Sequence, residues 1–116
     1  MKTYRLTRAA EHDLFDIWSY IARDDISSAD RLETEFFDVF RRLAERPDLG
    51  HFRRDLTDKP LRFFNVRGIY LIIYDPTDDP IAIVRVLHGS RVRSLSFKSS
   101  SVALRCHSFL QHFSSR

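Results

Sequence analysis

The chain has 116 residues, of which 43% are hydrophobic and 30% charged, a balance typical of one folded globular domain and unlike that of a disordered chain. No apolar run approaches the ~18 residues of a membrane-spanning helix, and the first residues lack an apolar signal segment, so we expect a cytoplasmic protein. The single cysteine, Cys106, excludes an intramolecular disulfide bond.

The net charge of +3 is unevenly distributed along the chain. Residues 1–60 carry a net charge of −2, whereas residues 61–116 carry +5, and no acidic residue follows Arg85. Arginine supplies 16 of the 19 cations, and its planar guanidinium suits carboxylates and phosphates. The C-terminal half is therefore suited to an anionic partner, either nucleic acid or an acidic protein, unless it is simply a solvated basic face.

A short strand over residues 4–6 and two amphipathic helices are predicted in the first half. Thr7 is a plausible N-cap for the first helix, and Ser27 or Ser28 for the second. The second helix ends before Pro47, because a residue that precedes proline avoids the α conformation. Apolar residues of the first helix recur at helical spacing, which predicts a core position for Trp18 and a core-edge position for Tyr20. Further apolar positions are Ala10, Leu14, Ile17 and Ile21, then Ala29, Leu32, Phe36, Phe40 and Leu43.

The second half changes to a period-two pattern of aliphatic and aromatic residues. Residues 47–60 are polar and are predicted to be a loop. Three strands then follow over Leu61–Val66, Ile69–Tyr74 and Ile81–Leu87, joined by turns at Arg67-Gly68 and at residues 75–80. The short connections imply an antiparallel meander. The sequence thus predicts an α+β fold with two layers, in which the N-terminal strand and a helical hairpin pack on an antiparallel sheet.

Several segments of the chain form a pattern by their order and spacing. The segments are Leu6-Thr7-x-Ala9-Ala10-Glu11-x-Asp13-Leu14-x-x-Ile17-Trp18-x-Tyr20-Ile21, Pro47-x-x-Gly50, Leu61-Arg62, Tyr70-Leu71-Ile72-Ile73-Tyr74 and Ile83-x-Arg85-Val86-Leu87-His88-Gly89-x-Arg91. Together they resemble the ParE branch of the RelE/ParE toxin superfamily. The first helix pattern and the last strand contribute most of the similarity, which covers residues 4–91.

This resemblance implies the toxin of a bacterial type II toxin–antitoxin (plasmid stabilisation) pair, with the helical hairpin and antiparallel sheet of that family. ParE-like toxins are thought to stall DNA gyrase on cleaved DNA, and ParD-like antitoxins neutralise them. The resemblance therefore implies a gyrase inhibitor that acts by binding and without a cofactor. Two alternatives remain open, namely a ribosome-dependent mRNA endoribonuclease like RelE and a non-toxic homologue that only binds an antitoxin.

The resemblance extends to candidate partner-binding residues: Arg62, Tyr70, Arg85, His88 and Arg91. If the protein were a ribonuclease, the same arginines and His88 would be the catalytic candidates. RelE-type catalysis resembles a Lys/Arg/Tyr cluster, however, and lysine is almost absent from this chain, which has only Lys2, Lys59 and Lys98. Arg85 and His88 are three residues apart in an extended segment, which predicts opposite faces of the strand.

Arg62 has a structural alternative to partner binding, because it could pair with an acidic residue of the first helix, either Asp13 or Asp16. The antitoxin is expected to lie across the helical hairpin and the sheet edge. Arginines would meet its acidic residues there, and apolar anchors would fill pockets.

The resemblance ends at Arg91, which predicts a toxin domain over residues 1–91 and an atypical tail over residues 92–116. The tail is Ser-rich and basic, and residues 102–113 show spacing compatible with a short amphipathic helix that would dock on the core, mediate dimerisation or fray. Phe97, Phe109 and Phe113 suit helix burial better than nucleic-acid stacking, so we expect no direct nucleic-acid binding. Cys106, His107 and His112 do not have zinc-site spacing, so no metal is expected.

Overall fold

Two helices pack on one face of a five-stranded sheet in residues 3–89, the part of the chain that this computed structural model describes. The strand order is β1-β5-β4-β3-β2. The elements in chain order are β1 (Tyr4–Leu6), α1 (Arg8–Ala22), α2 (Ile26–Glu45), β2 (His51–Phe52), β3 (Arg62–Val66), β4 (Tyr70–Asp75) and β5 (Ile81–His88).

The α+β class, the helical hairpin and the three-strand meander are confirmed. The pairs β2–β3, β3–β4 and β4–β5 are antiparallel, whereas β1 pairs with β5 in parallel, in register from Tyr4 opposite Ile81 to Leu6 opposite Ile83. The sheet is therefore mixed, and β1 forms the edge opposite β2. The turn between β3 and β4 has positive φ at both Arg67 and Gly68, as in the turns that suit tight hairpins.

Side chains cap both helices at their N-termini. The Thr7 hydroxyl accepts a hydrogen bond from the backbone N–H of Ala10 at 3.1 Å, which confirms the predicted cap of α1. The prediction of Ser27 or Ser28 for α2 is wrong, because the N-cap is Asp25, whose carboxylate accepts from the Ser27 N–H at 3.0 Å. Aspartate is as good a cap as serine, so sequence preference could not separate the candidates.

Both faces of the sheet are buried. The helical face packs on aromatic and aliphatic residues of α2 such as Phe36, Phe40 and Leu43. The opposite face is covered by the connection between β2 and β3, from which Leu56 and Leu61 are buried on the sheet. Leu56 belongs to the segment predicted as a polar loop, so that segment also contributes to the core.

A β-bulge interrupts the pairing of β5 with β4. Ile83 lies opposite Tyr74 and Arg85 lies opposite Ile73, so Val84 is the extra residue. The Val84 carbonyl accepts a hydrogen bond from the Thr7 hydroxyl at 2.7 Å. The bulge thus connects the start of α1 to β5, and it precedes the segment that carries Arg85 and His88.

Candidate partner-binding site

A groove of about 690 Å³ lies between α1 and the adjoining ends of β4 and β5. One wall is the exposed side of α1, and the other is formed by the start of β4 and the end of β5. The residues that line the groove are Asp13, Phe15, Asp16, Ile17, Ser19, Tyr20 and Arg23 from α1 and Tyr70, Val86, Leu87 and His88 from the sheet.

Two exposed aromatic side chains of α1 dominate the helical wall. Phe15 is 65% exposed and Tyr20 is 72% exposed, so the prediction of a core-edge position for Tyr20 is wrong. Trp18 is half-buried and donates from its indole Nε1 to Asp30 at 2.8 Å. The sheet and α2 cover only part of the broad apolar surface of α1, and the remainder, including Phe15 and Tyr20, faces the groove.

Tyr70 and His88 form the sheet wall of the groove. They lie opposite each other on β4 and β5, and their rings meet edge to face with centroids 5.8 Å apart. Tyr70 also contacts Phe36 edge to face at 5.4 Å, which connects it to the core. Tyr70 is half-buried and His88 is exposed, so the histidine is the more accessible of the two predicted partner-binding residues.

Arg85 is tied to α1 by an ion pair with Asp13. Its Nε donates to Asp13 Oδ2 at 2.7 Å, and its Nη2 donates to Oδ1 at 2.9 Å. Asp13 is buried, and its Oδ2 also accepts from the backbone N–H of Val86 at 3.1 Å. Arg85 therefore has a structural partner next to the groove, while its predicted contact with a partner protein stays a prediction.

The expected pairing of Arg62 with Asp13 or Asp16 is wrong. Arg62 begins β3, near the edge of the sheet far from β1, and its Nη1 donates to the carbonyl of Gly50 at 2.7 Å. Its guanidinium also lies over the ring of Phe52, 4.1 Å from the centroid. Arg85 takes the carboxylate of Asp13 because β5 is the strand that packs on α1.

The residues proposed as a ribonuclease set are therefore divided between different parts of the fold. Arg85 contacts Asp13 and His88 contacts Tyr70, whereas Arg62 lies two strands away. Arg91 and the tail of residues 92–116 lie outside the described residues. Within residues 3–89, no cluster of three His, Cys, Asp or Glu side chains could hold a metal ion, and no helix is long and apolar enough to cross a membrane.

Comparison with known proteins identifies the family. The family model described as "ParE toxin of type II toxin-antitoxin system, parDE" matches residues 4–93. The chain belongs to the ParE toxin family. A solved structure, "Chromosomal ParDE TA system from P. aeruginosa", contains a chain of the same fold with a TM-score of 0.61 and 19% identity over 76% of this ParE chain and 96% of that chain. No match was found among the curated proteins.

Proposed function

We propose that this ParE chain acts by binding DNA gyrase and stalling it on cleaved DNA, and that a ParD-like antitoxin neutralises it. The observation that carries the proposal is the family match over residues 4–93. Action by binding without catalysis is supported by the separation of the basic candidates. A ribonuclease would need them around one scissile phosphate, whereas Asp13 engages Arg85 and the Gly50 carbonyl engages Arg62.

The groove between α1 and β5 is the proposed antitoxin site. Protein interfaces gain most of their binding energy from a few large side chains in pockets, and aromatic residues are enriched among them. Phe15 and Tyr20 offer such anchors, and Leu87 lines the opposite wall. The antitoxin would insert apolar side chains between these walls, while its acidic residues would meet Arg23 at the rim.

The test is a supercoiling and DNA-cleavage assay with purified gyrase and the full chain over a range of concentrations. Inhibited supercoiling with accumulation of cleaved DNA supports the proposal. A matched reaction without gyrase controls for nuclease contamination. If a short neighbouring reading frame encodes a ribbon-helix-helix protein, that protein is the candidate antitoxin, and its addition should restore supercoiling.

A translation assay with ribosomes separates the alternatives if gyrase is unaffected. Discrete cuts in mRNA would identify an endoribonuclease, which contradicts the proposal. A folded chain that binds the antitoxin but leaves both gyrase and mRNA unchanged would be a non-toxic homologue, which also contradicts it. Because both proposed targets are intracellular machines, either activity would place the toxin in the cytoplasm.

A further inference from the structure

A second surface, far from the groove, lies at the β2 edge of the sheet. Its exposed aromatic residue is Phe52, which is 41% exposed. Two arginines approach that ring, with the guanidinium carbon of Arg62 at 4.1 Å and that of Arg54 at 4.9 Å from the centroid. We call this surface the β2-edge cluster; its members are Phe52, Arg54 and Arg62.

Neutral groups hold the two arginines that contact Phe52. Arg62 donates to the Gly50 carbonyl at 2.7 Å, and Arg54 makes a long contact with the Asp58 carbonyl at 3.5 Å. An aromatic ring and carbonyl oxygens orient a guanidinium without cancelling its charge. Five other arginines of residues 3–89 pair with carboxylates, namely Arg5, Arg41, Arg53, Arg67 and Arg85. Phe52 and backbone carbonyls therefore orient the positive charges of Arg54 and Arg62 at this edge.

The charge of the surrounding fold focuses an anion onto this edge. Residues 3–45, which form β1 and both helices, contain six basic and ten acidic residues, a net charge of −4. Residues 46–67, which contain the β2-edge cluster, have six basic and three acidic residues, a net charge of +3. A polyanion is repelled by the helical layer and attracted to the β2 edge.

The composition of the cluster favours nucleic acid over an acidic protein. Protein interfaces need a buried apolar centre, and the only large exposed apolar residue here is Phe52, which the two arginines already cover. Nucleic-acid interfaces are more polar and more positively charged, and arginine contacts to phosphate supply most of their affinity. We propose that the β2-edge cluster binds the phosphodiester backbone of duplex DNA.

The choice of duplex DNA rests on the proposed function, because a gyrase poison acts where gyrase holds DNA. The expectation of no direct nucleic-acid binding was based on Phe97, Phe109 and Phe113 of the basic C-terminal segment. The cluster is in a different place, between β2 and β3. In this arrangement the groove binds the antitoxin, and the β2 edge separately contacts the DNA of the stalled gyrase complex.

The experiment measures binding of the full chain to a fluorescent mixed-sequence duplex by anisotropy, between about 50 and 200 mM salt, the range over which phosphate contacts lose much of their affinity. The test variant is Arg54→Glu. The matched control is Arg8→Glu, which makes the same change in net charge on an exposed arginine next to β1, at the opposite edge of the sheet. Thermal unfolding of each variant verifies that it is folded.

We expect Arg54→Glu to weaken duplex binding about tenfold and to reduce the slope of log K against log salt by about one, whereas Arg8→Glu changes affinity less than about twofold. Equal effects of both variants, or no binding by the unmodified chain, would overturn the inference. Tighter binding of single-stranded RNA, or full competition by a Glu-rich peptide at equal charge, would overturn it as well.

The gyrase assay separates this inference from the proposed function. If duplex binding depends on Arg54 but the chain has no effect on gyrase, the proposed target is contradicted and the DNA-binding surface is supported. Gyrase poisoning by a chain whose duplex binding is unchanged by Arg54→Glu supports the proposed target and refutes the DNA-binding surface.

Discussion

Asp13 of α1 and Arg85 of β5 form a two-point ion pair although 72 residues separate them in the chain. The same carboxylate accepts the backbone N–H of Val86, so one side chain joins the first helix to the last strand at both a guanidinium and an amide. The pair lies directly after the bulge at Val84. It joins α1 to β5, and both elements line the groove.

Removing the arginine leaves the buried Asp13 carboxylate without its countercharge. We expect Arg85→Ala to lower the free energy of unfolding by about 2–4 kcal/mol, measured by urea denaturation, because an unpaired buried charge is costly. Arg67→Ala is the matched control. The side chains of Arg67 and its partner Glu35 are 47% and 36% exposed, so water screens the pair and the expected loss is about 0–1 kcal/mol.

A double-mutant cycle with Asp13→Asn and Arg85→Gln isolates the coupling between the two side chains. Strictly additive losses would show that the ion pair does not contribute to stability. The cycle also determines how toxicity data should be interpreted, since a loss of antitoxin binding in an Arg85 variant indicates direct contact only if the variant is stably folded.

The sequence predicts the elements of this fold well because their signals are local. Thr7 as a cap, the end of α2 before Pro47 and the Arg67-Gly68 turn each depend on a few neighbouring residues. The partner of Asp13 was not predictable in the same way. Arg62 and Arg85 are equally basic, and only the strand order, with β5 beside β1 and under α1, places Arg85 within reach.

The candidate site was predicted only in part, for a related reason. Helical spacing shows which side of α1 is apolar, but it does not show how much of that side the sheet covers. Tyr20 belongs to the uncovered part. Leu56 presents the opposite case, because it lies in a polar segment and yet packs on the second face of the sheet. Both outcomes depend on tertiary contacts between distant segments.

Tyr74 provides a test that depends on pH. Its hydroxyl donates to the Pro47 carbonyl at 2.6 Å and accepts from the Gly50 N–H at 2.7 Å, and burial raises the pKa of its phenol. We expect Tyr74→Phe to lower the free energy of unfolding by about 1–3 kcal/mol at neutral pH, because a buried N–H loses its acceptor.

The pH dependence of the same variant has a defined sign. Above about pH 10 the phenol of the unfolded chain loses its proton while the folded one keeps it, so the stability that Tyr74 contributes declines as the pH rises. The difference in stability between the unmodified chain and Tyr74→Phe should therefore shrink between roughly pH 9 and pH 11. A difference that stays constant over this interval would contradict a raised pKa.

A substitution at Gly50 tests the same contact, because the Gly50 N–H donates to the Tyr74 hydroxyl. A Cβ at this position would lie 2.6 Å from Tyr74 Oη and 3.0 Å from the Phe63 carbonyl oxygen. Gly50→Ala should therefore destabilise the fold by about 1–3 kcal/mol, measured by thermal unfolding. Gly68→Ala is a poor comparison, because Gly68 has a φ of +69°. Gly89→Ala is the milder comparison, because its added Cβ would meet the Ile69 carbonyl oxygen at 3.2 Å, a tight contact but a longer one than the 2.6 Å contact at Gly50. An equal loss in the two variants would argue against a tight site at Gly50.

The groove is tested by substitutions that leave the core intact. Phe15 and Tyr20 are largely exposed, so Phe15→Asp and Tyr20→Asp should change the unfolding midpoint little. If the antitoxin fills the groove, each substitution should weaken antitoxin binding by about 2 kcal/mol or more in calorimetry, which is the loss typical of an aromatic anchor.

Ile26→Asp is the matched control. Ile26 is 60% exposed on α2 but does not line the groove, so its replacement should leave antitoxin affinity unchanged. A loss at Ile26 as large as at Phe15 would show that antitoxin binding does not depend specifically on the groove.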